Sequence, residues 1–470
     1  MQAKKNNRML FFFTLAALFT NYKALCQESQ SNILTYSEYL GIVKKFHPRI
    51  KQSNLLITAG EAELLKARGA FDPKIEVDYE KKQFKDSDYY SILNSSFKIP
   101  TWYGIEVKAG FDNSEGIYVN PQNGTPNAGL TSLGVTVPVG QGLWINERMT
   151  DLRKAKLQMQ LSKTEQRLAA IEVLYEASVA YFGWLKAHNE IKLYKNYLQF
   201  AETRYKGVLK LIELGDKPPI DSLEAGIMIK NRKINFQEAT LKLTKAKLEL
   251  ANFLWIENVP VELQETLIPD ENLQKNILNH LPFERIETSD NLSNDHPKIQ
   301  SLQRKIDILS LDQQLKSNLL LPKIDIGYYY LSEPSHFDNY RWEDYKVGIN
   351  FSFPIFLRKE RGALNLAKLK LQDSQLDLNL ERLQLENKMK AGRNEITALQ
   401  NQILITNSLV QDYFKMLQSE ERLFTLGESS IFLINSRENS LISSQLSQIN
   451  LENRYLNSYA NLFRTMGIID

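Results

Sequence analysis

The sequence contains a single cysteine, Cys26, so no disulfide can form within the chain and a thiolate metal cluster is excluded. Its five histidines, His47, His188, His280, His296 and His336, never fall at metal-ligand spacing. No glycine-rich phosphate loop and no nucleophile elbow is present. Carboxylates such as Asp325 and Asp344 stand in strand-like sequence, where a solvated or pore-facing position is the ordinary role. There is thus no candidate catalytic residue, metal site or cofactor motif, and an enzyme is not expected. Charge of one sign is missing too. Lysine and arginine total 58 against 55 acidic residues, a net charge of +3, which leaves no basic footprint for nucleic acid. Nor is there an uninterrupted apolar run of about 18 residues, so no helix is expected to span a bilayer. A membrane-embedded form would have to be strands closed into a barrel.

What is present begins with an address. Lys4, Lys5 and Arg8 precede an apolar stretch from Met9 to Phe19, followed by a polar segment and Ala24-Leu25-Cys26. That order is a secretory signal peptide with a cut after Cys26. A lipidated Cys26 is the alternative, although Leu25 occupies the place of a small residue and Lys23 that of an aliphatic one.

An internal duplication organises the remainder. His47-Pro48-Arg49-Ile50 recurs as His296-Pro297-Lys298-Ile299, and Pro73-Lys74-Ile75-Glu76-Val77 as Pro322-Lys323-Ile324-Asp325-Ile326, both offset by 249 residues. Val137-Pro138-Val139 then matches Phe353-Pro354-Ile355 at an offset of 216, and Glu213-Leu214-Gly215-Asp216 matches Thr425-Leu426-Gly427-Glu428 at 212. Four matches in one order make two homologous halves, with about 33 extra residues between the prolines of the first half.

Each half opens with a helix, about Tyr36–Gly69 and Pro297–Leu320, entered at His-Pro. Alternating strands follow. Pro73–Phe84, Tyr89–Ile99, Tyr103–Phe111 and Leu130–Val137 are candidates in the first half, and a hairpin ending in Tyr345–Phe353 in the second. A soluble hairpin packed on helices fits the same alternation, and the pairing between the halves is open. Proline is absent from Pro138 to Gly215 and from Pro354 to Gly427, intervals of 77 and 73 residues. Helices filling them would run roughly 100–115 Å. Ile191, Tyr194, Leu198, Ala201, Tyr205, Val208 and Ile212 step as a coiled-coil seam, as do Leu168, Ile171, Tyr175, Ser178, Phe182 and Leu185. Each long helix ends at a glycine suited to a left-handed cap, and a return helix follows over about Ile220–Trp255 and Ile431–Met466.

This repeated order of helix, hairpin, long helix, glycine turn and return helix resembles the TolC-type outer-membrane efflux family over essentially the whole mature chain. So do Gly215-Asp216-Lys217-Pro218-Pro219-Ile220-Asp221, its counterpart from Gly427, and the closing Asn461-Leu462-Phe463-Arg464-Thr465-Met466-Gly467. The resemblance implies a mainly α fold with a membrane β-barrel. In a homotrimer, each protomer would give four strands to a shared twelve-stranded barrel and its long helices to a periplasmic tunnel. It implies a passive outer-membrane conduit, contacting outer-membrane lipid and served by a periplasmic adaptor protein and an inner-membrane pump.

The parts would be a signal peptide at 1–26, a first repeat at 27–255 (β region about 73–138, long helices about 144–255), an equatorial linker at 256–294 and a second repeat at 295–470 (hairpin about 322–354, long helices about 359–466). Gly215, Asp216, Gly427 and Glu428 correspond to the periplasmic tips where an adaptor docks. Asp221 and Glu224 stand where family members line the narrow aperture, and the second half has Leu433 and Ser436 there, so an acidic or an apolar ring is left open. Asp221 is equally an ordinary helix N-terminal residue. A soluble periplasmic coiled-coil or adaptor protein is the alternative reading.

Overall fold

A computed structural model describes residues 33–274, 277, 295–336 and 341–468. The expected signal peptide with Cys26, as well as His280 and residues 278–294 of the linker, lie outside the described residues. The chain begins with α1 (Tyr36–Phe46) and α2 (Pro48–Arg68), then strands β1 (Lys74–Phe84), β2 (Ser87–Pro100), β3 (Glu106–Glu115) and β4 (Leu130–Gly140). Helices α3 (Glu147–Glu213), α4 (Ile220–Ala251) and α5 (Pro297–Asn318) follow, then β5 (Lys323–Ser332), β6 (Tyr345–Ser352), α6 (Arg358–Thr425) and α7 (Ile431–Met466).

Two expectations shift at prolines. The single helix expected over Tyr36–Gly69 is divided at His47, whose ψ of 131° is extended. Proline biases the residue before it away from helical geometry, so His47 closes α1 and Pro48 opens α2. The long helices have 67 and 68 residues, about 100 Å each, somewhat less than the proline-free intervals allow. In the first half the shortfall is strand. β4 runs through Pro138, then Gly140 and Gly142 turn the chain with φ of 101°, and the Asn146 carboxamide accepts the Met149 N–H at 2.8 Å to start α3. An 18-residue window of α3 reaches a mean hydropathy of 1.3, enough by length and composition to cross a membrane, contrary to the expectation for the helices. Half of that window is buried inside the protein, as in a packed core helix.

Contacts divide the chain into two compact units. One comprises Met1–His47, Ala177–Leu281 and Leu399–Asn457. Its centre is aromatic: Tyr36, Tyr39, Tyr181, Phe182 and Trp184 are fully buried, with Tyr36 and Tyr181 rings 5.4 Å apart. Tyr181 donates its hydroxyl to the Leu34 carbonyl at 2.7 Å and accepts the Asp270 N–H at 3.1 Å. Ile33–Leu34 also pairs in parallel with Ile268–Pro269, so the chain's first described residues and the linker are fastened to one point of α3. Towards the turns, Tyr197, Leu417, Ile434, Leu441 and Ile442 join α3, α6 and α7 in one cluster.

The other unit comprises Pro48–Glu176, Pro282–Ala398 and Ser458–Asp470. It contains one six-stranded antiparallel sheet in the order β6-β5-β4-β3-β2-β1. The two halves meet where β4 pairs with β5, Val135 opposite Tyr328. The resemblance implies four strands per chain; the sheet has six, because the extra 33 residues of the first half form a second hairpin and make its four strands a continuous meander. All strand ends that join helices lie along one edge of the sheet. The β1–β2, β3–β4 and β5–β6 connections lie at the opposite edge.

The second His-Pro is a precise helix entry. His296 Nδ1 accepts the Lys298 N–H at 3.1 Å, and Nε2 lies 2.9 Å from the Thr465 carbonyl, to which it donates. Both partners demand the same neutral tautomer. Burial lowers the His296 pKa below its usual value, outweighing the Thr465 carbonyl and the Glu381 charge. Gly467, at φ +69°, brings the end of α7 against this entry, where a β-carbon would come within 2.7 Å of the Pro297 ring. A histidine with a depressed folded pKa contributes stability above its unfolded value, and that contribution is lost as pH falls through about 6.5. We therefore expect thermal unfolding to place wild type above His296→Asn at about pH 7.5, with the gap narrowing by about pH 5.5.

Candidate functional site

The sheet is sorted by side. Register carries Ile75 across to Phe97, Ala109, Leu133, Tyr330 and Tyr345 in one row. A second row joins Ile99, Val107, Val135, Tyr328 and Val347 on the same face. Ile326, Ile349, Ile324 and Phe351 extend it. The opposite face carries Lys74, Glu76 and Asp78 on β1, Lys98 and Ser96 on β2, Lys108 and Asp112 on β3, Lys323 and Asp325 on β5, and Lys346 and Asn350 on β6. This follows from the two-residue period of a strand maintained through every pairing.

The apolar face is not a core. Ile75 is 75% exposed and Ile349 70% exposed, and Val77, Tyr79, Val347 and Phe351 are each more than half exposed. An uncovered apolar surface six strands wide is unfavourable in water and favourable against lipid. The polar face also holds the sheet's glycines, Gly110, Gly134, Gly140, Gly327 and Gly348. Two of them make a floor for Tyr329. A β-carbon on Gly134 or Gly327 would come within 2.5 or 2.9 Å of its ring, and its hydroxyl bonds that of Thr136 at 2.7 Å. Where the polar face meets the helices, Glu106, Lys323, Asp325, Asn146 and Arg148 line an open cavity of about 460 Å³.

The two glycine turns are geometrically alike. Gly215 (φ +82°) donates to the Ile212 carbonyl, and the Asp216 N–H to that of Leu211, at 3.0 and 2.9 Å. Gly427 (φ +77°) donates to Phe424, and the Glu428 N–H to Leu423, at 3.1 and 2.9 Å. This is the same Schellman closure twice, and its left-handed residue explains the glycine at each. Gly215, Asp216, Gly427 and Glu428 are all exposed. The structure brings the two turns together in one unit: Val208, Ala225 and Ile431 share a core, and the Lys217 ammonium lies 4.6 Å over the Phe424 ring.

The expected aperture residues separate. Glu224 is half-buried and accepts a hydrogen bond from Asn435 at 3.3 Å, and Asp221 is half-buried in the first turn of α4. Leu433 and Ser436 are exposed on one face of α7. Leu214, Ile220, Leu223, Leu426 and Phe432 add exposed apolar surface around the turns.

Sequence reasoning missed the charged centre behind them. The Glu438 carboxylate, 1% exposed, accepts from Arg204 at 2.7 Å and from the Arg232 Nη2 at 3.0 Å. Arg232 also donates to Asn439 at 2.7 Å, and Arg204 to Glu421 at 3.2 Å. One cluster thus ties α3, α4, α6 and α7. Its signal is in the sequence. Glu438 holds the inward phase of Ile431, Ile434 and Leu441, and Arg232 that of Ala225 and Ala239, so charges sit in otherwise apolar stripes.

Residues 289–468 match the family model described as outer membrane efflux protein. Over that stretch the chain is similar to the outer membrane efflux protein family. That family's place is the outer membrane, which suits the uncovered apolar sheet. No curated protein matches the sequence. Among solved structures, the Campylobacter jejuni CmeC outer membrane channel is similar at 14% identity, covering 92% of this chain and 85% of that one with a TM-score of 0.64. The Vibrio cholerae outer membrane protein VceC is similar at 13% identity, 92% and 95% coverage and a TM-score of 0.64. The open state of the Neisseria gonorrhoeae MtrE outer membrane channel is similar at 12% identity, 92% and 88% coverage and a TM-score of 0.62. At these identities the likeness is one of fold, and it extends over both halves of this chain.

Removing one member of a buried ion cluster leaves the others unpaired, so Glu438→Ala is expected to destabilise the helices around the turns by about 3–5 kcal/mol. The double variant Glu438→Leu/Arg232→Met should recover most of that loss. Hydrogen exchange across α4 and α7 reads both outcomes.

Proposed function

We propose that the chain is one protomer of a trimeric outer-membrane channel, a passive conduit in a tripartite efflux or secretion system. The observation that carries this reading is the apolar sheet face with its two open edges. A lone six-stranded sheet with free edges leaves backbone N–H and C=O groups unpaired, which hydrocarbon does not tolerate. Three copies that pool their sheets close the edges and enclose the polar face as a water-filled passage. Residues 1–26 would export the chain, 27–255 and 295–470 would act as paired repeats, and 256–294 would link them.

The turns at Gly215 and Gly427 face the periplasm in this reading, where an adaptor protein docks with the help of an inner-membrane pump. Their exposed apolar residues supply a contact surface, and Asp216 and Glu428 its charged rim. Opening moves the return helices α4 and α7 outward and must work against the Arg204–Glu438–Arg232 cluster, which connects them to α3. Asp221, Glu224, Leu433 and Ser436 line or flank the aperture. With Glu224 held by Asn435 and Leu433 exposed, the apolar form of that ring is favoured.

Single-particle imaging of the mature protein from outer-membrane fractions should give a threefold particle with a barrel at one end and a helical tube. A monomeric or dimeric soluble rod would overturn the reading. In planar bilayers, Leu433→Asp and Asp221→Ala should change conductance or cation preference, and unchanged currents in both would remove these residues from the aperture.

A further inference from the structure

We infer that β1 and β6 are the two halves of an intermolecular seam, so that three copies close a barrel of eighteen strands, six from each, and not of twelve. The inference rests on the trimeric channel proposed above, and adds the size of its pore. Four observations carry it.

Among the described residues, each edge strand pairs on one side only. All eleven residues of β1 and all eight of β6 are exposed, whereas strands inside the sheet are largely half-buried. The edges also have matching direction. With six strands alternating in sense, β1 and β6 run opposite ways, so their union between copies continues the antiparallel pattern without interruption.

Their ends coincide. β1 begins where α2 delivers the chain and β6 ends where α6 takes it up, so Lys74 and Ser352 belong to the same, helix-bearing edge. Aligning those ends places Ile75 opposite Phe351, Val77 opposite Ile349 and Tyr79 opposite Val347. These three pairs match apolar to apolar on the lipid face, and at the far end of the seam Lys81 falls opposite Tyr345. On the polar face the same register sets Glu76 against Asn350 and Glu80 against Lys346, a hydrogen-bonding pair and an ion pair. A shift by one residue would turn apolar side chains into the passage, so only even shifts are allowed.

Finally, twelve strands would require each copy to withdraw two. The β1–β2 hairpin is the available pair, and it is bonded to β3 through ten residue pairs from Ser91–Glu115 to Pro100–Glu106. Withdrawing it would break that ladder and leave Ile75, Val77, Tyr79 and Phe97 without lipid. At a strand spacing of about 4.8 Å and a tilt of about 40°, eighteen strands give a backbone diameter of about 36 Å, against about 24 Å for twelve.

The native chain's single cysteine allows a clean test. In full-length protein carrying Cys26→Ser, Val77→Cys is combined in turn with Val347→Cys, Ile349→Cys and Phe351→Cys, three registers that keep the faces in phase. Directly opposed strand residues lie about 4.5–5.5 Å apart, within disulfide reach. Oxidation of the detergent-extracted protein should give covalent dimers and trimers on a denaturing gel for at least one pair, and none for Val77→Cys alone. Imaging of the unmodified protein should count eighteen strands. A threefold particle with twelve strands, or no cross-link in any register, would overturn the seam while leaving the trimeric channel standing. A particle without threefold symmetry would overturn both.

Discussion

A β-strand's backbone must be hydrogen-bonded on both sides wherever water is excluded, and much in this protein depends on that requirement. The sheet offers lipid an apolar face, yet a single chain leaves both of its edges open. The fold is therefore incomplete in one copy, in the way an isolated repeat unit is. In the channel proposed above, assembly would complete secondary structure and not merely add surface contact. The sorting of side chains by face is maintained through five consecutive pairings, from Ile75 to Tyr345, without one charged residue entering the row.

The turn region obeys the converse rule. There the helices satisfy their own backbones, the Schellman closures at Gly215 and Gly427 satisfy the last carbonyls, and specificity passes to side chains. The Glu438 carboxylate is the focus, because a buried charge bonded to two guanidiniums accepts few other arrangements. Apolar clusters around Val208 and Tyr197 supply adhesion; the ionic cluster supplies register. A helix pair joined in this way has discrete positions and few intermediate ones.

Much of this was legible in the residues. Ile75, Val77 and Tyr79 alternate so regularly that β1 is visible without a structure, and the seams through Ala201 and Val208 or Phe182 and Leu185 do face inward. The matched tetrads at Gly215 and Gly427 correspond to matched geometry down to the hydrogen bonds. What was not legible is non-local. Nothing near Val135 announces Tyr328 as its partner, since pairing depends on which edge the preceding strands leave open. The extra 33 residues were visible as a change of offset, but their role as a hairpin appears only when the meander closes onto β5. His47 misled because His-Pro ends one helix as readily as it begins another. Glu438 and Arg232 were overlooked because charges on long helices are usually solvated, and only their phase marks them as inward.

The added hairpin also bears on how such a protein can change over generations. The chain must enter and leave the sheet on the side where the helices wait, so strands can be gained or lost only in pairs. An odd insertion would deliver the next helix to the wrong side of the membrane and invert every facing beyond it. Inheritance therefore works on this sheet in whole hairpins, a coarse unit of variation that point substitution cannot subdivide. Side chains such as Tyr329, lying on its glycine floor, are left as the means of fine adjustment.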